Sequence, residues 1–89
     1  MNLIGIKNTN DRSKRGMMYS KLEKMGFTHK PHPSNDGGYL IVSPNKEFYN
    51  VHRNTFDTFM FPEHFMYEAK NEKEFFELIN KFYNNGNDI

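Results

Sequence analysis

The absence of cysteine from a chain of only 89 residues is the feature that most limits how this protein can fold. A short chain without disulfides or cysteine-ligated zinc is held together by apolar burial alone. Nine Phe, five Tyr and six Met supply most of the apolar volume, and Trp is absent. We therefore expect one small domain over residues 1–89, with an aromatic and Met-rich core.

The sequence also indicates where the protein works. A chain without thiols suits a reducing cytosol, residues 1–7 lack the apolar segment of a signal peptide, and no apolar stretch is long enough to cross a bilayer. Asn, Lys, Phe, Tyr and Ile, which AT-rich codons encode, total 40 residues, against 14 for Gly, Ala, Arg and Pro. We expect a cytoplasmic protein of a bacterial host cell, with no membrane contact, encoded by an AT-rich bacterial or phage genome.

An amphipathic pattern predicts a first helix at about residues 14–25. Met18, Leu22 and Met25 form its apolar stripe at helical spacing. Gly26 is placed to end the helix in a left-handed conformation, which would fold Phe27 back onto Leu22.

A second helix is predicted at about residues 71–84. Asn71 suits its N-cap, because Glu74 follows three residues later in the spacing of a capping box. The predicted buried stripe comprises Phe75, Leu78, Ile79 and Phe82, with Phe76 and Tyr83 widening it.

Residues 39–53 predict a β-hairpin. Two segments rich in β-branched and aromatic residues, 39–43 and 48–53, flank Pro44 and Asn45, which suit a tight turn. The first segment, 3–7, is a further candidate strand, and residues 29–38, with two Pro and two Gly, predict a loop. We expect the more apolar face of the hairpin to be formed by Leu40, Val42, Tyr49 and Val51.

Residues 55–69 carry a dense set of aromatic and Met side chains around Pro62. Their alternation predicts two short strands separated at that proline. Together the elements predict an α+β fold in which a small antiparallel sheet, made of the 39–53 hairpin and one or two short strands, packs with two helices.

The same segment holds more aromatic surface than two short strands bury in so small a domain. Aromatic and Met side chains are favoured at the centres of protein interfaces. We therefore expect part of this segment to face another protein, with candidate contacts at Phe59, Met60, Phe61, Phe65 and Tyr67.

Charge is unevenly distributed along the chain, with a net of +5 in residues 1–30 and −4 in the remainder. Four cations of the first helix lie largely off its apolar stripe, and Arg53 ends the predicted hairpin, so the candidate partner contacts also include Lys14, Arg15, Lys21, Lys24 and Arg53. Such a basic face steers an acidic protein or neutralises phosphates. Opposite charges on one chain also make a homodimer a candidate assembly.

Two patterns invite a metal or a catalytic interpretation. His29 and His32 have ligand-like spacing, and His52 and His64 would complete a set, but a Pro-flanked loop does not enforce a common direction. Asp57 with Glu68 and Lys70 matches the loose acid pattern of metal-dependent nucleases. Such matches are frequent by chance in a charged chain, so we expect no metal, no cofactor and no enzymatic activity.

The leading functional hypothesis is a small non-enzymatic protein-binding module. The short chain, its AT-rich residue usage and the missing catalytic motif favour a phage-encoded inhibitor of a host protein, including a defence protein. The alternative is a nucleic-acid-binding accessory protein that uses the basic first third, although a pI near 8.0 is modest for that role. A small metal-dependent nuclease is the third hypothesis.

Overall fold

The computed structural model describes residues 3–30, 38–58 and 66–84. The chain forms a mixed α+β fold, in which a five-stranded sheet packs with helices on both faces. The strands are β1 (Leu3–Lys7), β2 (Thr28–His29), β3 (Tyr39–Val42), β4 (Glu47–Val51) and β5 (Met66–Ala69). The helices are α1 (Arg12–Lys24), α2 (Arg53–Thr58) and α3 (Glu72–Ile79), which continues as a π-helical segment, Asn80–Asn84.

The sheet has the strand order β2-β4-β3-β1-β5. β3 pairs antiparallel with both β1 and β4, whereas β5 pairs parallel with β1 and β2 parallel with β4. The α+β class is confirmed, but the prediction of a purely antiparallel sheet is wrong. Four residues of β1, from Leu3 to Ile6, are all buried, because helices cover both faces of this inner strand.

Helix α1 confirms the first predicted helix at its C-terminal end. Gly26 has φ +94°, and the Phe27 N–H donates to the Leu22 carbonyl at 3.0 Å while the Gly26 N–H donates to Glu23. This pair of bonds is a Schellman motif, and it places Phe27 in the core with Leu22 and Met18. The helix begins earlier than predicted, at Arg12, because the carboxylate of Asp11 accepts bonds from the backbone at its first turn.

Helix α3 has the predicted N-cap at Asn71, whose side chain accepts a bond from the Glu74 N–H at 2.8 Å. The Glu74 carboxylate reaches back one residue further than in the standard capping box, to the Lys70 N–H at 2.7 Å. The predicted stripe needs a correction, because Leu78 and Phe82 are only partly buried. The π-helical turn adds a residue to the helical repeat, which rotates buried Tyr83 towards the sheet.

The hairpin of β3 and β4 is confirmed, but its predicted face is wrong. Ser43 pairs with Glu47, and the loop holds three residues, the last of which, Lys46, has φ 68°. The predicted turn holds only Pro44 and Asn45, so the observed loop is one residue longer. This extra residue shifts the register of β4 by one position, and each of its side chains lies on the face opposite to the predicted one. Leu40 and Val42 therefore share a face with Phe48 and Asn50, whereas Tyr39 and Ile41 share the other with Tyr49 and Val51.

The sheet has a core on each face. Helices α1 and α3 pack on one face, against a cluster that includes Ile4, Leu40 and Phe48. On the other face α2 buries Phe56 against a smaller cluster. The hairpin's second face is thus largely covered.

Residues 55–58, predicted as the beginning of the first of two strands within residues 55–69, belong instead to helix α2. The Phe56 N–H donates to the His52 carbonyl at 2.9 Å, and the His52 imidazole accepts a bond from the Asn54 N–H at the helix start. Arg53 and Asp57 pair one turn apart, at 3.8 Å. The second predicted strand is confirmed as β5. The two-residue β2 was not predicted.

Candidate functional site

The aromatic segment proposed as a partner contact is only partly described. Phe59, Met60, Phe61 and Phe65 lie outside the described residues. Tyr67 lies on β5, which is an edge strand of the sheet that the described residues form, and 42% of its surface is exposed. Its ring stacks on Phe82 with 4.8 Å between ring centroids, so the exposed surface belongs to a ring that is already held in place.

The outer face of α1 presents a row of side chains at steps of three and four residues. Lys14, Met17, Lys21 and Lys24 form this row, which we call the basic row, and all four are exposed. Residues at these spacings lie one above another on a helix. At about 1.5 Å per residue, the row is about 15 Å long.

Met17 is the member of the basic row that the sequence analysis did not single out. It is 69% exposed, which makes it the most exposed large apolar side chain that the described residues contain. The neighbouring Met18, by contrast, is buried in the core. The sequence does indicate that Met17 belongs to this row. Met17 lies off the apolar stripe of Met18 and Leu22, three residues after Lys14 and four residues before Lys21.

The lysines of the basic row have no carboxylate partner among the described residues. The ion pairs found within the described residues join Lys30 to Glu47 and Arg53 to Asp57, and neither pair involves α1. Lys21 makes a different contact, since its Nζ lies 4.5 Å from the centre of the Phe76 ring. Lys14 and Lys24 are thus exposed without an ion pair to the described residues, whereas Lys21 is exposed and also contacts an aromatic ring of α3.

Two concavities flank the basic row and meet at Lys21. One, of ≈ 620 Å³, lies on α1 itself and is open to solvent. The other, of ≈ 390 Å³, lies between α1 and α3. The first is lined by Ser13, Gly16, Met17, Ser20, Lys21 and Lys24, and the second by Lys21, Glu72, Lys73, Phe76, Glu77 and Asn80.

Arg15 and Arg53 do not belong to this surface. The Arg15 Nε donates to the Thr9 carbonyl at 3.1 Å, so this partly buried cation fixes the turn that leads from β1 into α1. Arg53 lies on α2, which packs on the opposite face of the sheet, and is paired with Asp57. The structure therefore brings three of the five predicted cations together and separates the other two from them.

A polar network next to Arg15 has a structural role. The Asn8 side chain is buried and donates to the Tyr19 hydroxyl at 2.9 Å and to the Asn50 side chain at 3.5 Å. Burial raises the pKa of Tyr19. Within residues 3–30, 38–58 and 66–84 every buried polar side-chain atom has a hydrogen-bond partner.

The metal and nuclease patterns find no assembled site in the described part of the chain. His29 stacks on Phe48 with 5.0 Å between ring centroids, and His52 caps α2. His32 and His64 lie outside the described residues. Asp57 is paired with Arg53, and Glu68 is exposed on β5. The described residues bring no three His, Asp or Glu side chains together as a metal site.

Within the described ranges no helix has the length and apolarity that a bilayer span requires. A comparison with models of known protein families, with curated proteins and with solved structures finds no match to this chain.

Proposed function

We propose that this protein is a small non-enzymatic module that binds another protein through the outer face of α1. The observation that carries the proposal is Met17, 69% exposed in a row with three lysines that have no carboxylate partner in the described residues. A Met side chain adapts its shape to an apolar contact surface. Lysines around it suit the rim of an interface, where charges remain partly hydrated.

The basic row favours fast and selective association. Three like charges within about 15 Å raise the local potential and attract an acidic surface before contact is made. Because these lysines are exposed, their removal costs the fold little. Substitutions of these lysines should therefore alter partner binding with little effect on the stability of the fold, so the proposal can be tested directly.

The surroundings of Lys21 favour a protein over a nucleic acid. Glu72 and Glu77 line the concavity that Lys21 shares with α3, and Lys73 lies between them in sequence. A phosphate backbone is negative along its whole length and would be repelled by these carboxylates. A protein surface can present a neutral or basic group at this point.

The proposed setting is the cytoplasm of a bacterial host cell, where the protein would inhibit a host protein, including a defence protein, on behalf of a phage. The AT-rich residue usage supports this setting. Binding through one exposed helix face is sufficient for such a role, because an inhibitor has only to occupy a surface.

The test compares two charge-reversal variants of the full chain. Lys21→Glu with Lys24→Glu alters the basic row, whereas Lys7→Glu with Lys70→Glu makes the same change in net charge at two exposed lysines that flank a different concavity. The wild-type protein is used to capture its partner from extracts of the native host. Association rates with the purified partner are then measured at low and moderate salt.

The first variant should associate about tenfold more slowly than the wild type, and the second should be close to the wild type. The wild-type rate should also fall as salt rises. The second variant should unfold within a few tenths of a kcal/mol of the wild type, because surface charges contribute little to stability. The first should lose about 1 kcal/mol at most, because it also loses the contact between Lys21 and Phe76. Equal association rates for the two variants would show that α1 is not the binding surface. Binding of short DNA or RNA duplexes that only the first variant loses would assign the surface to nucleic acid.

A further inference from the structure

The chemistry of the partner can be read from α1, given the proposed function of its outer face. Lys14, Lys21 and Lys24 present three ammonium groups in one row, and Met17 places an apolar group between them. We infer that α1 docks an acidic α-helix of the partner protein, whose carboxylates lie along the lysines and whose apolar side chain covers Met17. Charge complementarity favours an acidic partner surface, and the spacing of the basic row favours a helical one.

The spacing of the basic row matches the rise of a partner helix better than that of a partner strand. From Lys14 to Met17, Lys21 and Lys24, the steps along the axis are about 4.5, 6 and 4.5 Å. A helix that lies beside α1 repeats these steps with residues three and four apart, so that each carboxylate meets one lysine. A strand repeats its side chains on one face about every 6.8 Å and drifts out of step along the row.

The surface beside the row allows a helix to come close. Ser13 and Ser20 are short, and a Cβ built on Gly16 meets no atom within 4 Å. Packed helices lie with their axes about 8–10 Å apart, which requires low side chains at the line of contact. The small residues therefore allow close packing of a partner helix, while the lysines and Met17 favour an acidic helix with an apolar side chain.

A helix also tolerates the neighbouring carboxylates better than other acidic partners do. Glu72 and Glu77 lie on the α3 side of Lys21. A helix with one acidic face can present basic or neutral side chains towards them, since residues on different faces are chosen independently. A nucleic acid has no such face.

The test uses two synthetic peptides and the full-length protein labelled with ¹⁵N. The first peptide is Ala-rich and about 20 residues long, because shorter isolated helices are marginal in water, and it carries Glu residues three and four apart on one face with a central Leu. The second differs only by two central prolines, which prevent a helix. Amide chemical shifts of the protein are followed at low salt, for the wild type, for Lys21→Glu with Lys24→Glu and for Lys7→Glu with Lys70→Glu.

The helical peptide should shift the amides of Ser13, Gly16, Met17 and Ser20. Its dissociation constant should be at least about tenfold lower than that of the proline peptide, a difference that the Lys21 and Lys24 reversals remove and the control reversals retain. Equal binding of the two peptides, or shifts confined to other elements, would overturn the inference. If the reversals still slow association with the captured partner, the proposed function stands and only the helix is wrong. If they do not, the proposed function itself fails.

Discussion

Gly16 gives the sharpest prediction, because nothing in the described fold requires a glycine there. It lies within α1, and a Cβ built on it meets no atom within 4 Å. Gly in a helix interior is about 1 kcal/mol less favourable than Ala, mainly because the unfolded chain loses more freedom on folding. Gly16→Ala should therefore stabilise the protein by about 1 kcal/mol, which corresponds to a melting temperature higher by about 4–8 °C in a domain of this size.

The assay is thermal unfolding followed by far-UV circular dichroism, with urea unfolding as a second measure. Gly26→Ala is the matched control, since its Cβ also meets no atom within 4 Å, but its φ of +94° is unfavourable for alanine. This variant should lose about 1 kcal/mol or more. The reasoning is refuted if Gly16→Ala fails to raise the melting temperature, or if Gly26→Ala raises it.

Three further predictions concern α3 and the segment that follows it. Ile79→Ala should cost about 2–5 kcal/mol in urea unfolding and Leu78→Ala clearly less, because Ile79 is fully buried and Leu78 only partly; equal costs would contradict this packing. Asn71→Ala should cost about 1 kcal/mol through loss of the N-cap, measured against exposed Glu77→Ala, and a neutral result would refute the cap. Burial raises the pKa of Tyr83 above its ordinary value, so the stability that its phenol contributes is complete below about pH 10 and declines as the pH rises further. Tyr83→Phe should lose about 1 kcal/mol at neutral pH with its hydrogen bond and show a shallower decline at alkaline pH in denaturant titrations; an unchanged slope would refute the assignment.

The outer face of α1 shows how far a candidate site can be derived from sequence. The stripe of Met18 and Leu22 predicts which side of the helix is buried. The opposite side, which carries Lys14, Lys21 and Lys24, is therefore predicted to face solvent. The sequence did not separate Arg15 from these lysines. Its contact with the Thr9 carbonyl depends on the path of the turn before the helix, which residue spacing does not specify.

Local signals in the sequence are sufficient to predict where α1 ends and where α3 begins. Gly26 with Phe27 ends α1, and Asn71 with Glu74 begins α3, because each of these hydrogen bonds joins residues at most five positions apart. Only the tertiary structure decided the parallel pairing of β5 with β1, which brings Leu3 next to Met66. Likewise, Phe56 belongs to a helix rather than a strand, and its side chain packs with Leu3, Ile41 and Val51 on the second face of the sheet. Such choices depend on burial among residues distant in the chain, and the pattern of one segment does not contain that information.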